Sequence, residues 1–202
     1  MSLYRNQLEA WLGKLNVSAD RLLDLGGAAN PVLKRLQSAK VVEYLCLDKG
    51  VEDAKVSFIQ FDINLPLEQL QGVQEKDFRF DAIFCLEVFE YVWNPVQAMQ
   101  NIARMLMEGG LAYVSFPAIY PVHNPVEIDY LRYTQKAIER LCSEVGLKIL
   151  EIVPRRATEG QQALSTFYSQ EGMHPVRNSS LPFDIGYMVR LTKDFKEDHA
   201  GN

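Results

Sequence analysis

The spacing of apolar positions changes repeatedly along this chain, and each change marks an element. Leu8, Trp11, Leu12 and Leu15, with Tyr4 before them, recur at helical spacing and predict an amphipathic helix over 3–15. Short, almost unbroken apolar runs then occupy 21–25, 41–47, 56–61, 80–86, 111–116, 147–153 and 187–191, and each reads as a strand. Helical patterns separate several of them. Asn30-Pro31 has the form of a helix cap followed by proline at the first helical position, which predicts a short helix over 30–39. Asn94-Pro95 repeats that start, Val96, Met99, Ile102, Ala103 and Leu106 follow on one face, and Gly109-Gly110 stops the helix. Thr134 caps another, with Ala137, Ile138, Leu141, Cys142 and Val145 on one face and Gly146 at its end.

Strands that alternate with helices and are apolar on both faces predict a mostly parallel sheet covered on both sides, a doubly wound α/β fold. The pattern is read as a single domain over 1–202: an N-terminal helix in 1–19, a core over 20–153, a long loop or insertion over 154–184, and a charged tail over 193–202 that frays. A second long irregular stretch covers 117–133, and loops of such length in a compact domain are usually functional or mobile. A composition of 48% hydrophobic and 23% charged residues fits a folded chain of this kind.

Charge and cysteine usage narrow the function classes. A net charge of −5 argues against a nucleic-acid partner, and the pair Arg155-Arg156 does not make a basic patch. Cys46, Cys85 and Cys142 form no C-x-x-C and have no clustered histidine, so they read as buried thiols in a reducing compartment, with no metal site. No apolar run approaches the ~20 residues of a membrane span, and the N-terminus lacks a signal-peptide core. A cytoplasmic location is expected, where the sequon-like Asn178-Ser179-Ser180 carries no meaning. Nothing in the pattern reads out an oligomeric state.

The candidate chemistry lies where strands end, because open α/β sheets bind ligands outside their strands' carboxyl ends. The stretch from Leu22 to Pro31, L-L-D-L-G-G-A-A-N-P, reads as a buried strand, a glycine turn and a helix start whose free N–H groups would face a nucleotide-like ligand. Acids close or adjoin the first four strands: Asp24, Asp48, Asp62 and Glu87. Asp48 stands about 20 residues beyond the turn, the position at which dinucleotide sites place a ribose-binding carboxylate. The competing reading is a turn aspartate before Lys49-Gly50. The turn lacks the G-x-G-x-x-G that a pyrophosphate needs, Tyr133 and Lys136 are not at the Tyr-x-x-x-Lys spacing, and no Walker lysine is present. A nicotinamide-dependent oxidoreductase is therefore the weaker alternative.

The order of these motifs resembles the class I S-adenosylmethionine-dependent methyltransferases, in the small stand-alone (type 11-like) branch. Asp24-Leu25-Gly26-Gly27-Ala28-Ala29-Asn30 is similar to that family's acid and G-x-G-x-G turn, with Ala28 and Asn30 at the later glycines. The run from Phe80 to Pro95, F-D-A-I-F-C-L-E-V-F-E-Y-V-W-N-P, is similar to the family's F-D-x-I-x-x-x-E-V-x-E-H-V-x-N-P, with Tyr91 at the usual histidine. Arg104 to Gly110 resembles R-x-L-x-P-G-G with Glu108 at the proline, and Pro121-Val122-His123 with Asp129-Tyr130-Leu131-Arg132-Tyr133-Thr134 resembles P-x-H…D-Y-x-R-Y-T. The similarity covers roughly 20–153.

The resemblance implies a Rossmann-like seven-stranded sheet whose last strand is antiparallel. It implies S-adenosyl-L-methionine as cofactor and a methyltransferase (EC 2.1.1.-) acting by in-line transfer on a small-molecule acceptor. Asp24, Gly26, Gly27 and Ala28 would form the turn, Asp48 would take the ribose, and Asp62 with Ile63 the adenine. Glu87 would face the methionine end or the substrate entrance. The sulfonium methyl is already activated, so no base is obligatory. If the acceptor needs one, Tyr91, His123 and Asp129 are the candidates. Each has a structural alternative: Tyr91 packing over the cofactor or capping a helix, His123 ordering its loop, and Asp129 binding Arg132 and Tyr133 to pin the loop before Thr134. A catalytically inactive cofactor-binding or regulatory protein is the alternative function.

Overall fold

The computed structural model describes residues 3–70, 78–122, 124–156 and 184–194. Its elements are α1 (Leu3–Leu12), β1 (Asn16–Leu25), β2 (Ser38–Asp48), β3 (Ile59–Gln60), β4 (Phe80–Cys85), α2 (Pro95–Met105), β5 (Leu106–Pro117), α3 (Gln135–Glu144), β6 (Lys148–Arg156) and β7 (Asp184–Thr192). One sheet takes all seven strands in the order β3-β2-β1-β4-β5-β7-β6. The pairs β1/β2, β1/β4, β2/β3 and β4/β5 are parallel, and β7 runs antiparallel to both neighbours. From β1 the chain moves outward to β2 and β3, then returns to lay β4 on the other side of β1. The order therefore reverses between β1 and β4, and a crevice opens at their carboxyl ends.

Strand alternation divides the core into two faces. Leu23, Leu25, Ile83, Cys85, Val114 and Val189 face one way, with Met99 and Ile102 of α2 and Ile138 and Cys142 of α3. Leu22, Phe84, Tyr113 and Met188 face the other way, under Leu8, Trp11 and Leu12 of α1. Phe84 stacks on Tyr113 at 4.4 Å and 10°, and Trp11 meets the same tyrosine edge-on at 5.9 Å. The Trp11 face thus packs on the sheet itself. All three cysteines are free and buried.

Capping went as the sequence suggests. Asn94 accepts a hydrogen bond from the Gln97 N–H at the start of α2, and Thr134 accepts one from the Ala137 N–H at the start of α3. Gly146, at φ +71°, follows α3 in the left-handed conformation of a helix stop.

Other boundaries moved, each for a visible reason. The helix expected over 30–39 is only a 3₁₀ turn, Val32–Lys34. The Val32 N–H is drawn to the Asp24 carboxylate, and β2 pairs with β1 from Ser38 onward, so the segment is caught between the two and its last two residues join the sheet. The strand expected over 21–25 gains five residues, 16–20, whose alternation rests on only Val17 and Ala19 inside. The strand expected over 56–61 shrinks to Ile59–Gln60. α2 stops at Met105, before Gly109-Gly110, because buried Leu106 pairs with Phe80 and starts β5. The Lys193 ammonium donates to the Ala103 and Leu106 carbonyls at that helix end (2.9 and 3.4 Å), so the tail is anchored at its first residue. Residues 195–202, and 157–183 of the long loop, lie outside the described residues.

Candidate active site

A cavity of about 420 Å³ lies across the carboxyl ends of β1, β2, β3 and β4. Of the residues singled out from sequence, Gly26, Asp48, Asp62, Ile63, Glu87 and Tyr91 line it. Asp24, Gly27, Ala28 and Asp129 do not, and His123 lies outside the described residues.

The glycine turn is held from within. Gly26 has φ +74°, donates its N–H to the Leu47 carbonyl at 2.7 Å, and has no room for a side chain: a Cβ would stand 2.4 Å from Val88 Cγ2. At Gly27 a Cβ would fall 2.1 Å from the Asp24 carboxyl carbon. Asp24 is buried behind the turn, where its Oδ2 accepts from the Val32 N–H and the Tyr44 hydroxyl, both at 2.7 Å. Burial raises its pKa to about 6 against those two hydrogen bonds. Asp24 therefore braces the turn instead of walling the cavity. The helix-start amides expected to face a ligand are used internally. Val32 N–H goes to Asp24, Ala28 N–H goes to Asp48, and no α-helix follows the turn.

Asp48 ends β2 with both oxygens engaged, Oδ2 by the Ala28 N–H (3.2 Å) and Oδ1 by the Gly50 N–H (2.9 Å). A carboxylate offers about four lone-pair sites, so two remain for a ligand. Asp62 is held by Asn64, whose N–H and side-chain amide both donate to Oδ1 (3.0 and 2.7 Å), and by the Lys49 ammonium 3.2 Å from Oδ2. Partial burial alone would raise its pKa, but the Asn64 bonds and Lys49 together hold it below the usual carboxylate value. Asn101 of α2, fully buried, donates its side-chain amide to the Ile63 and Leu65 carbonyls (3.0 and 2.8 Å) and fixes this loop to the helix. Sequence reading passed over Asn64, Asn101 and Lys49. The signal available was a polar amide inside the apolar pattern of α2 and a second amide two residues beyond Asp62.

Glu87 follows β4 in the left-handed region at φ +57°, rare for a residue with a side chain. Its N–H donates to Ser115 Oγ at 2.7 Å, which fixes the residue at the cavity wall. Tyr91 donates its hydroxyl to the Asn124 carbonyl at 3.2 Å. Burial, then the Glu90, Asp129 and Glu87 carboxylates, push its pKa up to about 12. Asp129 gives both oxygens to the Arg132 guanidinium (2.5 and 2.6 Å), which also donates to the Tyr120 and Pro121 carbonyls. Tyr133 donates to the Phe89 carbonyl at 3.0 Å. These residues fasten the loop after β5 to the turn after β4.

A reversing parallel sheet with a braced glycine turn and an acid at the second strand end defines a Rossmann-like α/β domain. A methyltransferase-domain family model matches residues 3–152. The chain belongs to this methyltransferase family, among the class I S-adenosylmethionine-dependent methyltransferases. A stretch of 99 residues is 25% identical to the mitochondrial ubiquinone biosynthesis O-methyltransferase of Dictyostelium discoideum, covering 49% of this chain and 29% of that protein. The chain thus spans under a third of that relative. The solved complex of the Haloferax volcanii Trm112 methyltransferase activator with a methyltransferase has the same fold, with TM-score 0.62 and 15% identity over 95% of this chain and 90% of that one. The N-methyltransferase NodS of Bradyrhizobium japonicum, in complex with S-adenosyl-L-homocysteine, gives TM-score 0.60 and 15% identity over 94% and 87%. Among the described residues no helix is long and apolar enough to cross a membrane.

Proposed function

We propose that this chain binds S-adenosyl-L-methionine in the cavity and transfers its methyl group to a small-molecule acceptor. The observation that carries the reading is the convergence of Gly26, Asp48, Asp62, Ile63 and Glu87, from four separate strand ends, on one cavity. The donor set fits the cofactor. The remaining lone pairs of Asp48 suit two vicinal ribose hydroxyls, Asp62 suits an amino edge beside the apolar Ile63, and Glu87 suits the ammonium of the methionyl part. At Gly26 the backbone packs against Val88 with no room for a side chain, which holds the turn at the cavity wall.

The cofactor supplies an activated sulfonium methyl, so the protein's task is alignment and exclusion of water. Val88, Val92 and Ile128 provide apolar wall beside Glu87. Tyr91, at about 12, stays protonated at neutral pH and acts as a donor and wall rather than a base. Asp129 is committed to Arg132 and serves the loop. Neither residue is placed to act as a base, and the third candidate, His123, lies outside the described residues. The test is calorimetric titration with S-adenosylmethionine and S-adenosylhomocysteine, followed by methyl transfer to an acceptor panel. Binding with turnover supports the proposal; binding without turnover on any acceptor favours a regulatory protein, and binding of NAD(P) alone refutes the cofactor.

A further inference from the structure

Arg155, the penultimate residue of β6, is fully buried, yet Nε, Nη1 and Nη2 have no hydrogen-bond acceptor among the described residues. Its guanidinium lies over the Tyr4 ring of α1 at 3.9 Å, and its nearest counter-charge is Glu87 Oε1, 3.9 Å from Nη1 and beyond hydrogen-bond length. Its neighbour behaves differently: Arg156 points outward and pairs with Asp184 at 3.2 Å. Buried guanidinium groups are costly unless both charge and N–H donors are met, so three unused nitrogens signal a missing partner. Burial lowers the pKa of Arg155, opposed by Tyr4 and by the Glu87 and Glu90 carboxylates.

The position indicates what that partner is. Arg155 stands at the carboxyl edge of the sheet, separated from the cavity by Glu87, which touches both. Tyr4 in turn packs on Tyr120 of the loop after β5 at 4.4 Å. Helix α1, the end of β6 and that loop therefore meet on the far side of Glu87 from Asp48 and Asp62. We propose that Arg155 is an acceptor-binding residue that receives a carboxylate carried by the methyl acceptor. Glu87 is its stand-in counter-ion until a ligand engages Glu87 from the cavity side. This assignment rests on the cofactor reading above only for the order of events. The planar fork of a guanidinium matches a carboxylate in bidentate fashion. The nearby Glu87 and Glu90 charges favour a monoanion over a doubly charged phosphate.

The experiment compares benzoate with benzamide, isosteric apart from charge, by ligand-observed NMR and calorimetry. Wild-type protein with S-adenosylhomocysteine present is expected to prefer benzoate about tenfold or more, the worth of one charge-assisted pair. Glu87→Gln should show that preference without S-adenosylhomocysteine, and Arg155→Met should abolish it. Arg155→Met replaces a buried guanidinium whose three nitrogens lack hydrogen-bond acceptors with an apolar chain of similar length, and a urea curve checks that it folds. The wild-type comparison needs no variant at all. Equal binding of benzoate and benzamide overturns the proposal, as does a preference that survives Arg155→Met. Weaker S-adenosylhomocysteine binding by Arg155→Met would assign the carboxylate to the cofactor, and tighter binding of inorganic phosphate than benzoate would exclude a carboxylate. If wild type fails to bind S-adenosylhomocysteine while Glu87→Gln still prefers benzoate, the cofactor reading falls and the Arg155 assignment stands.

Discussion

Asp48→Asn separates the two roles open to that residue, turn brace and ribose acceptor. In the structure each Asp48 oxygen takes one backbone N–H, from Ala28 at 3.2 Å and Gly50 at 2.9 Å. Asparagine has one carbonyl oxygen, so one of the two amides would face an NH₂ group and lose its acceptor. In a side chain only 6% exposed, an unsatisfied donor costs about 1–3 kcal/mol, and the variant should lose that much stability in urea. A ribose acceptor loses more: its charge, and one of two bonds worth about 1.5–3 kcal/mol each to a charged group. S-adenosylhomocysteine affinity should therefore fall roughly tenfold to a hundredfold by calorimetry, beyond anything the stability loss explains. The discriminating result is a protein that is destabilised but binds within about twofold of wild type. That would make Asp48 a turn aspartate and remove the ribose from this strand end.

Gly26→Ala forces a side chain into φ +74° and within 2.4 Å of Val88, a cavity residue. The backbone alone costs about 1–2 kcal/mol, so both melting temperature and S-adenosylhomocysteine affinity should drop; an unchanged thermal shift would show that the turn relaxes freely. Phe84→Ala removes the ring stacked on Tyr113 and should cost about 3–5 kcal/mol in urea, against less than about 1 if that face is loosely packed. Asp24 is raised to about 6 in the folded chain, above an unfolded value near 4, so the folded state holds the extra proton between those values. Its contribution is thus full below about pH 4 and is lost as pH rises through about 6. Asp24→Asn keeps one oxygen for both the Val32 and Tyr44 bonds and should gain about 2–3 kcal/mol on wild type between pH 4 and 7 in paired denaturation curves. A pH-independent difference would mean that Asp24 titrates normally.

How legible each feature was depended on whether its cause was local. Asn94 and Thr134 announced their helices because a cap acts within three residues. Asp48, Asp62 and Glu87 were found because strand periodicity alone locates strand ends. The failures have non-local causes. Asn30-Pro31 carries a good helix start, yet Asp24 takes the Val32 N–H and β2 begins at Ser38, so only a 3₁₀ turn fits between them. Gly109-Gly110 is a good helix stop, yet a partner on β4 ends α2 earlier. Asp24 sits in the glycine-turn motif, but its role behind the turn depends on Tyr44, which periodicity marks only as strand. Arg155 entered the sequence reading only as half of a basic pair too small for a patch, since nothing in its neighbours shows that α1 covers it.

The missing helix after the glycine turn also bears on which cofactor the site suits. A pyrophosphate binder needs free amides and a helix N-terminus at that point. Here Asp24 and Asp48 occupy the amides of Val32 and Ala28, so the turn presents carboxylate-tied backbone instead of an anion hole. The charged residues lining the cavity are Asp48, Asp62 and Glu87 against Lys49, and Lys49 is itself drawn to Asp62. Such a field repels a dinucleotide's phosphates and attracts a ligand that carries a sulfonium and an ammonium. The substitutions at Ala28 and Asn30 are then compatible with the proposed cofactor: no phosphate has to reach the backbone there, and Ala28 contributes the amide that orients Asp48.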